Sequence, residues 1–281
     1  MITPVMQRIG LSTLTYRTLP LTEALSHVRR HGFLRADIAI IPGRCDHADP
    51  LGMDADGRRA WASMVRDSGL NIASLNVGNG PLNDPDGLDT RVEFLERCID
   101  LADLAGAPVV TINTGSRVPP AQWLDSARRV DAVVGRLARR AADRGVVLSL
   151  EAPHVNSLCS TVDEAMRLFE WIHDGRVTLT FDSSHVHCGS DSMRRGLGRM
   201  GPWLDHVHLR DARRDDHALT PGDGDIDFHD LFRGLSGVRY AGSLAIELLF
   251  DDEFAGNLDH IERHVERARA HLRDALRGAL V

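Results

Sequence analysis

Four short runs in the second half of the chain each end in a side chain that can bind a cation. Val146-Val-Leu-Ser-Leu leads to Glu151, Thr178-Leu-Thr-Phe to Asp182, His206-Val207 to His208, and Ser243-Leu-Ala-Ile to Glu247. One carboxylate at a strand end is more often a helix cap or an ion-pair partner. Four ionisable ends on consecutive strands are harder to read that way. Carboxylates brought together repel unless a cation lies between them. An oxygen-rich donor set with one imidazole nitrogen suits Mn2+, Mg2+ or Co2+ better than zinc. The expectation is therefore a divalent metal, Mn2+ first, held by Glu151, Asp182, His208 and Glu247.

Such a site needs eight elements in the right order. Strand signals fall at 8–14, 34–41, 71–77, 108–113, 146–151, 177–182, 206–209 and 243–247. Helical spacing falls between and after them, at 21–31, 54–68, 88–104, 120–144, 161–173, 190–200, 228–235 and 254–276. Gly32, Gly69, Gly106 and Gly145 stop four of these helices. Alternation at this period means a parallel sheet. Eight units in a chain of 281 residues, with no linker or composition break, point to one (β/α)8 TIM-barrel domain over 1–281. A doubly wound open sheet is the alternative. It is less favoured because polar residues close many strands rather than one crevice. The longest loops, 42–51 and 78–87, follow the second and third strands, on the face where barrels place active sites.

Composition removes several function classes. All 33 basic residues are arginine, so Schiff-base chemistry, which needs a lysine amine, is excluded. A net charge of −7 argues against a nucleic-acid binder. No apolar run approaches the roughly 18 residues of a membrane span. Residues 1–4 lack the basic and apolar regions of a signal peptide, and the four cysteines form no Cys-x-x-Cys pair. A cytoplasmic protein with reduced thiols is expected. No glycine-rich loop opens a helix, which favours an unphosphorylated substrate.

Two His-x-His pairs occur, His185/His187 and His206/His208. Residues two apart on a strand face the same side, as in zinc hydrolases with paired histidines. His187 and His206 are instead read as solvent-facing or as indirect supports of the site.

Glu151 after strand five, Asp182-Ser-Ser-His185 after strand six, His206-Val-His-Leu-Arg-Asp211 on strand seven and Ala245-Ile-Glu247 on strand eight together resemble the sugar isomerase/epimerase superfamily of xylose-isomerase-like barrels. Pro221-Gly-Asp-Gly-Asp-Ile-Asp227 is similar to the glycine-rich segment after strand seven in that group. The resemblance implies the same four metal ligands, a substrate contact from His185, and another from Arg214, which matches the arginine of the ketose 3-epimerase branch. That branch carries a further glutamate six residues after the strand-five ligand, where this chain has Ser157. Abasic-site endonucleases of this fold bind extra metals through histidines on earlier strands. Here strands three and four end in Asn76 and Asn113, read as partners for substrate hydroxyls, so a DNA-repair role is not expected.

The implied activity is a metal-dependent isomerase or epimerase of a small carbohydrate or keto-sugar. A proton next to a carbonyl would leave through an enediolate, with Glu151 and Glu247 as acid and base. The alternative is a dehydratase or lyase acting by β-elimination, as in the inosose dehydratase branch. A catalytically idle polyol-binding barrel is a third reading. The superfamily is often dimeric or tetrameric, and the surface composition does not decide between a monomer and such an oligomer.

Overall fold

A computed structural model describes residues 5–279 except Asn79 and His173. The expected helix end at His173 and the reading of residues 1–4 lie outside the described residues. Eight parallel strands close into a barrel: β1 Ile9–Ser12, β2 Arg35–Ile41, β3 Asn71–Val77, β4 Val109–Asn113, β5 Val147–Glu151, β6 Thr178–Asp182, β7 Leu204–Leu209 and β8 Ser243–Ile246. Each pairs with its neighbour in sequence, and pairing of β1 with both β8 and β2 completes the ring. The expected (β/α)8 architecture is the observed one.

The strands form because they are rich in apolar and β-branched residues and are buried on both faces, as parallel strands are. In β6, Leu179 and Phe181 are buried against the helical layer, while Thr178, Thr180 and Asp182 occupy the other face. Burying a side chain such as Phe181 contributes about 2–3 kcal/mol. The outer layer is built from long helices, among them α1 Leu21–Arg30, Ala55–Asp67, Leu88–Ala105, Trp123–Asp143, Val162–Trp171 and Leu258–Ala279. Gly106 and Gly145 follow two of them with φ of 76° and 68°, left-handed backbone in which a side chain would be strained.

The barrel interior is more polar than the alternation alone suggests. Ser12, Asp37, Ser74, Thr111, Ser149, Thr180 and His206 are all buried there. They satisfy one another: Thr180 Oγ1 lies 2.7 Å from Ser149 Oγ and 3.1 Å from Thr111 Oγ1. This layer forms a hydrogen-bonded floor beneath the strand ends.

Three features depart from the expected elements. The stretch 190–200 is a helix only over Met193–Met200, and a separate short helix, Ser183–Cys188, begins directly after β6. A two-residue strand, Cys45–Asp46, folds back on β2. The segment after β7 forms an antiparallel hairpin, Asp211–Arg213 with Asp216–Leu219. Asp211 anchors that segment, because its carboxylate accepts the backbone N–H groups of Ala212, Gly222, Gly224 and Ile226 at 2.8–3.1 Å. The glycine-rich stretch is thus wrapped around one carboxylate. Gly224 has to be glycine, since a Cβ there would lie 2.2 Å from Asp211 Oδ1. Asp211→Ala orphans four donors and is expected to cost at least about 2 kcal/mol. Urea denaturation measures this, and a loss below about 0.5 kcal/mol would show that the loop holds itself.

Candidate metal centre

Parallel register carries the four strand ends to one mouth of the barrel. Asp182 is the register partner of His208, and Glu151 that of Thr180. Glu247 follows β8 directly, and its N–H donates to Leu209 O at 3.3 Å. Donor atoms of Glu151, Asp182 and His208 all lie within 4.8 Å of one another, and all three side chains are buried. His208 Nδ1 is 2.8 Å from Glu151 Oε1. The Nε2 atom of the same ring is buried without a hydrogen-bond partner. Glu247 joins the group through Arg210 rather than through direct contact with the other donors.

Arg210 is the residue that sequence reasoning did not assign. Its Nη2 donates to Asp182 Oδ2 at 2.9 Å and faces His185 Nε2 at 2.9 Å, and its Nη1 lies 3.1 Å from Glu247 Oε2. Its Nε donates to Ser184 Oγ at 3.0 Å. Two serines hold it there. Ser183 Oγ donates to Arg210 O at 2.5 Å and accepts Arg210 N–H at 3.0 Å. Ser184 Oγ–H donates to Asp182 Oδ1 at 2.6 Å. Asp182 Oδ1 also accepts the N–H groups of Ser184 and His185, so the same residue caps the short helix. The Asp-Ser-Ser-His run is thus a helix start whose cap points into the barrel mouth. The one sequence signal for Arg210 is spacing: it continues the two-residue period of His206 and His208 one position past the end of β7.

The other expected residues fall into two groups. Asn76 Nδ2 donates to Glu247 Oε1 at 2.7 Å, so it positions a carboxylate. His185 is buried beside Asp182, with its Nδ1 3.4 Å from Val155 N–H. Asn113 is half-buried at the end of β4, in register with Glu151. Arg214 is different: it is exposed in the turn of the hairpin. Unassigned from sequence are His154, whose ring centroid is 3.9 Å from that of His185, and His217, whose centroid is 5.2 Å from it. Three imidazoles therefore cluster beside Asp182. No linear spacing relates His217 to the other two.

The electrostatics follow from burial and charge. Burial alone would raise the carboxyl of Glu151, but His208 outweighs it and holds it down at about 2. Asp182 is likewise lowered against burial by Arg210, His185 and His208. Burial dominates at Glu247 and, against the opposing pull of Arg210 and His208, pushes it up to about 7. His208 is raised well above the usual imidazole range: burial would lower it, but Glu247, Asp37 and Glu151 outweigh that. His185 is lowered well below, chiefly by burial.

A divalent cation fits this donor set. Three buried carboxylates face only one buried guanidinium, and the imidazole among them turns its Nδ1 toward them. A metal must displace protons from His208 and Glu247 to bind there. Affinity for Mn2+ should therefore rise as pH increases through about 7, with proton release on binding. The linked fold effect has the opposite sense. Glu247's raised carboxyl stabilises the metal-free protein below the ordinary carboxylate range, and this is lost as pH rises through about 7. Calorimetric titration of chelator-stripped protein at pH about 6 and about 8 checks the affinity; equal affinities would contradict it.

Comparison with known proteins agrees with the fold. The chain belongs to the xylose isomerase-like TIM barrel family, whose sequence profile matches residues 26–276. It is 30% identical to an inosose dehydratase of Clostridium perfringens over 146 residues, 45% of this chain and 48% of that protein. The chain thus spans about half the length of that curated relative. It is 25% identical to an L-ribulose 3-epimerase of Mesorhizobium japonicum over 256 residues, 86% of this chain and 81% of that one. A solved structure of an L-ribulose 3-epimerase superposes with a TM-score of 0.77 at 20% identity, covering 97% of this chain and 96% of that one. Among the described residues no helix is long and apolar enough to cross a membrane.

Proposed function

We propose that this chain, acting as one barrel domain, is a divalent-metal-dependent isomerase or epimerase of a small carbohydrate or keto-sugar. The observation that carries this is the convergence of Glu151, Asp182 and His208 within 4.8 Å, with Glu247 tied to the same group through Arg210. Glu151, Asp182, His208 and Glu247 would hold the metal, Mn2+ first and Mg2+ or Co2+ next. When bound, the cation supplies a Lewis acid beside the substrate carbonyl. Glu151 and Glu247 rise from separated strands, so they can address a substrate carbon from two sides. One removes the proton next to the carbonyl. The other returns a proton to the neighbouring carbon, giving isomerisation, or to the opposite face, giving epimerisation. His185 holds a substrate oxygen at the edge of the cluster. Asn113 and Arg214 remain proposed substrate contacts, Arg214 only if the hairpin folds over the mouth. Asn76 acts through Glu247.

A second reading has its own support. Loss of a β-hydroxyl after the same proton abstraction would make the enzyme a dehydratase, and the Clostridium perfringens relative is an inosose dehydratase. Heavy-water NMR separates the two. An isomerase or epimerase exchanges deuterium into a ketose and returns a sugar, whereas a dehydratase acting on an inosose releases a dehydrated ketone. The metal is tested first by elemental analysis and thermal unfolding. Purified protein without stoichiometric divalent ion, and without stabilisation by added Mn2+, would sink both readings.

A further inference from the structure

Asp37, on β2, is buried at the barrel axis and is used by none of the steps above. Four donors surround its carboxylate. Ser12 Oγ–H donates to Oδ1 at 2.7 Å, and Ser74 Oγ–H donates to Oδ2. His206 Nε2 lies 3.5 Å from Oδ2, and His208 Nε2 lies 3.7 Å from the same atom. A carboxylate offers about four acceptor positions; the two serines take one on each oxygen, and both imidazole nitrogens face Oδ2. The floor around it is fixed as well: His206 Nδ1 is 2.9 Å from Ser243 Oγ, and its Nε2 is 3.2 Å from Ser74 Oγ.

The two nitrogens of His208 therefore face in different chemical directions. Nδ1 looks into the cluster of Glu151 and Asp182. Nε2 looks down the barrel and has no hydrogen-bond partner, and Asp37 is the carboxylate in front of it. A neutral imidazole that gives one nitrogen to a cation must carry its proton on the other. That proton needs an acceptor, or a buried N–H is left unsatisfied.

We propose that Asp37 is the positioning residue of the metal-binding histidine: its carboxylate takes the Nε2–H of His208, fixing ring orientation and the tautomer that presents Nδ1 to a divalent cation shared with Glu151 and Asp182. The Asp37–His208 contact shortens to a hydrogen bond once Nδ1 is engaged. Asp37 also places a further negative charge behind the imidazole, which increases its basicity as a ligand. Ser12, Ser74 and His206 hold the carboxylate with Oδ2 toward His208. The inference rests on His208 being a metal ligand, so the test separates the two claims.

The probe is Mn2+, or Zn2+ for NMR, titrated into chelator-stripped full-length protein. Wild type binding one equivalent supports the metal reading; no binding removes that reading and this one together. Given binding by wild type, Asp37→Asn is expected to weaken affinity about 10–100-fold with an unchanged far-UV spectrum. Ser74→Ala, which removes a donor to the same carboxylate but not the acceptor, is expected to stay within about threefold of wild type. Equal affinity in Asp37→Asn overturns the proposal and leaves the metal reading standing. Equal weakening in both variants reduces Asp37 to a packing role and overturns it too. Should Asp37→Asn fail to fold, nitrogen-15 spectra of the Zn2+-loaded wild type decide. A protonated Nε2 on His208 is the expected result, and a protonated Nδ1 contradicts it.

Discussion

Glu247→Gln is expected to lower metal-supported proton exchange into substrate by about 10²–10⁴-fold. The amide keeps an oxygen donor of similar shape, and Asn76 and Arg210 still frame it. What it loses is the capacity to take or deliver a proton. Glu151→Gln should show a loss of the same order, because exchange in both directions needs a group on each side of the substrate carbon. Measuring exchange at saturating Mn2+ removes the part of the effect due to weaker metal binding. Full exchange in either variant refutes the two-glutamate scheme and transfers that role to another group, of which His154 and His185 stand nearest.

The second large effect concerns Arg210. Its guanidinium is the buried cation that joins Asp182 to Glu247. Arg210→Met leaves both carboxylates buried without it, and breaking a buried pair in this way costs about 3–5 kcal/mol. Metal-free Arg210→Met should therefore unfold at markedly lower urea than metal-free wild type. Added Mn2+ should recover more stability in the variant than in wild type, because the ion then meets carboxylates with no competing arginine. Metal-free stability equal to wild type would show that the two carboxylates are neutralised some other way.

The sequence made some of this visible and hid the rest for physical reasons. Strand-end ligands are legible because a strand exposes alternate residues to one face, so Glu151, Asp182 and His208 announce themselves as polar ends of apolar runs. The barrel is legible because helix and strand periods alternate eight times. Arg210 is hidden because it lies just past the end of β7, outside the strand residues whose alternation marks the other ligands. Its burial depends on Ser183 and Ser184, which reach it from the end of the preceding strand, β6. Asp37 was hidden inside β2, where its meaning depends on partners 25 to more than 160 residues away. Asn76 looks like a substrate partner from sequence because nothing local shows that its amide donates to Glu247, 171 residues away. Arg214 was placed by its spacing from His208, and the hairpin that lifts it to the surface had no period of its own to reveal it.

The central claim is that this barrel removes a proton next to a carbonyl with the help of a divalent ion held by its strand ends. Proton NMR in heavy water tests it most directly, with Mn2+-loaded and chelator-stripped protein compared on a panel of ketoses, hydroxypyruvate-like acids and inososes, and manganese removed before spectra are taken. Deuterium should enter one substrate class at the carbon beside the carbonyl, only in the metal-loaded sample. Exchange in neither sample across the panel, or equal exchange in both, would contradict the claim.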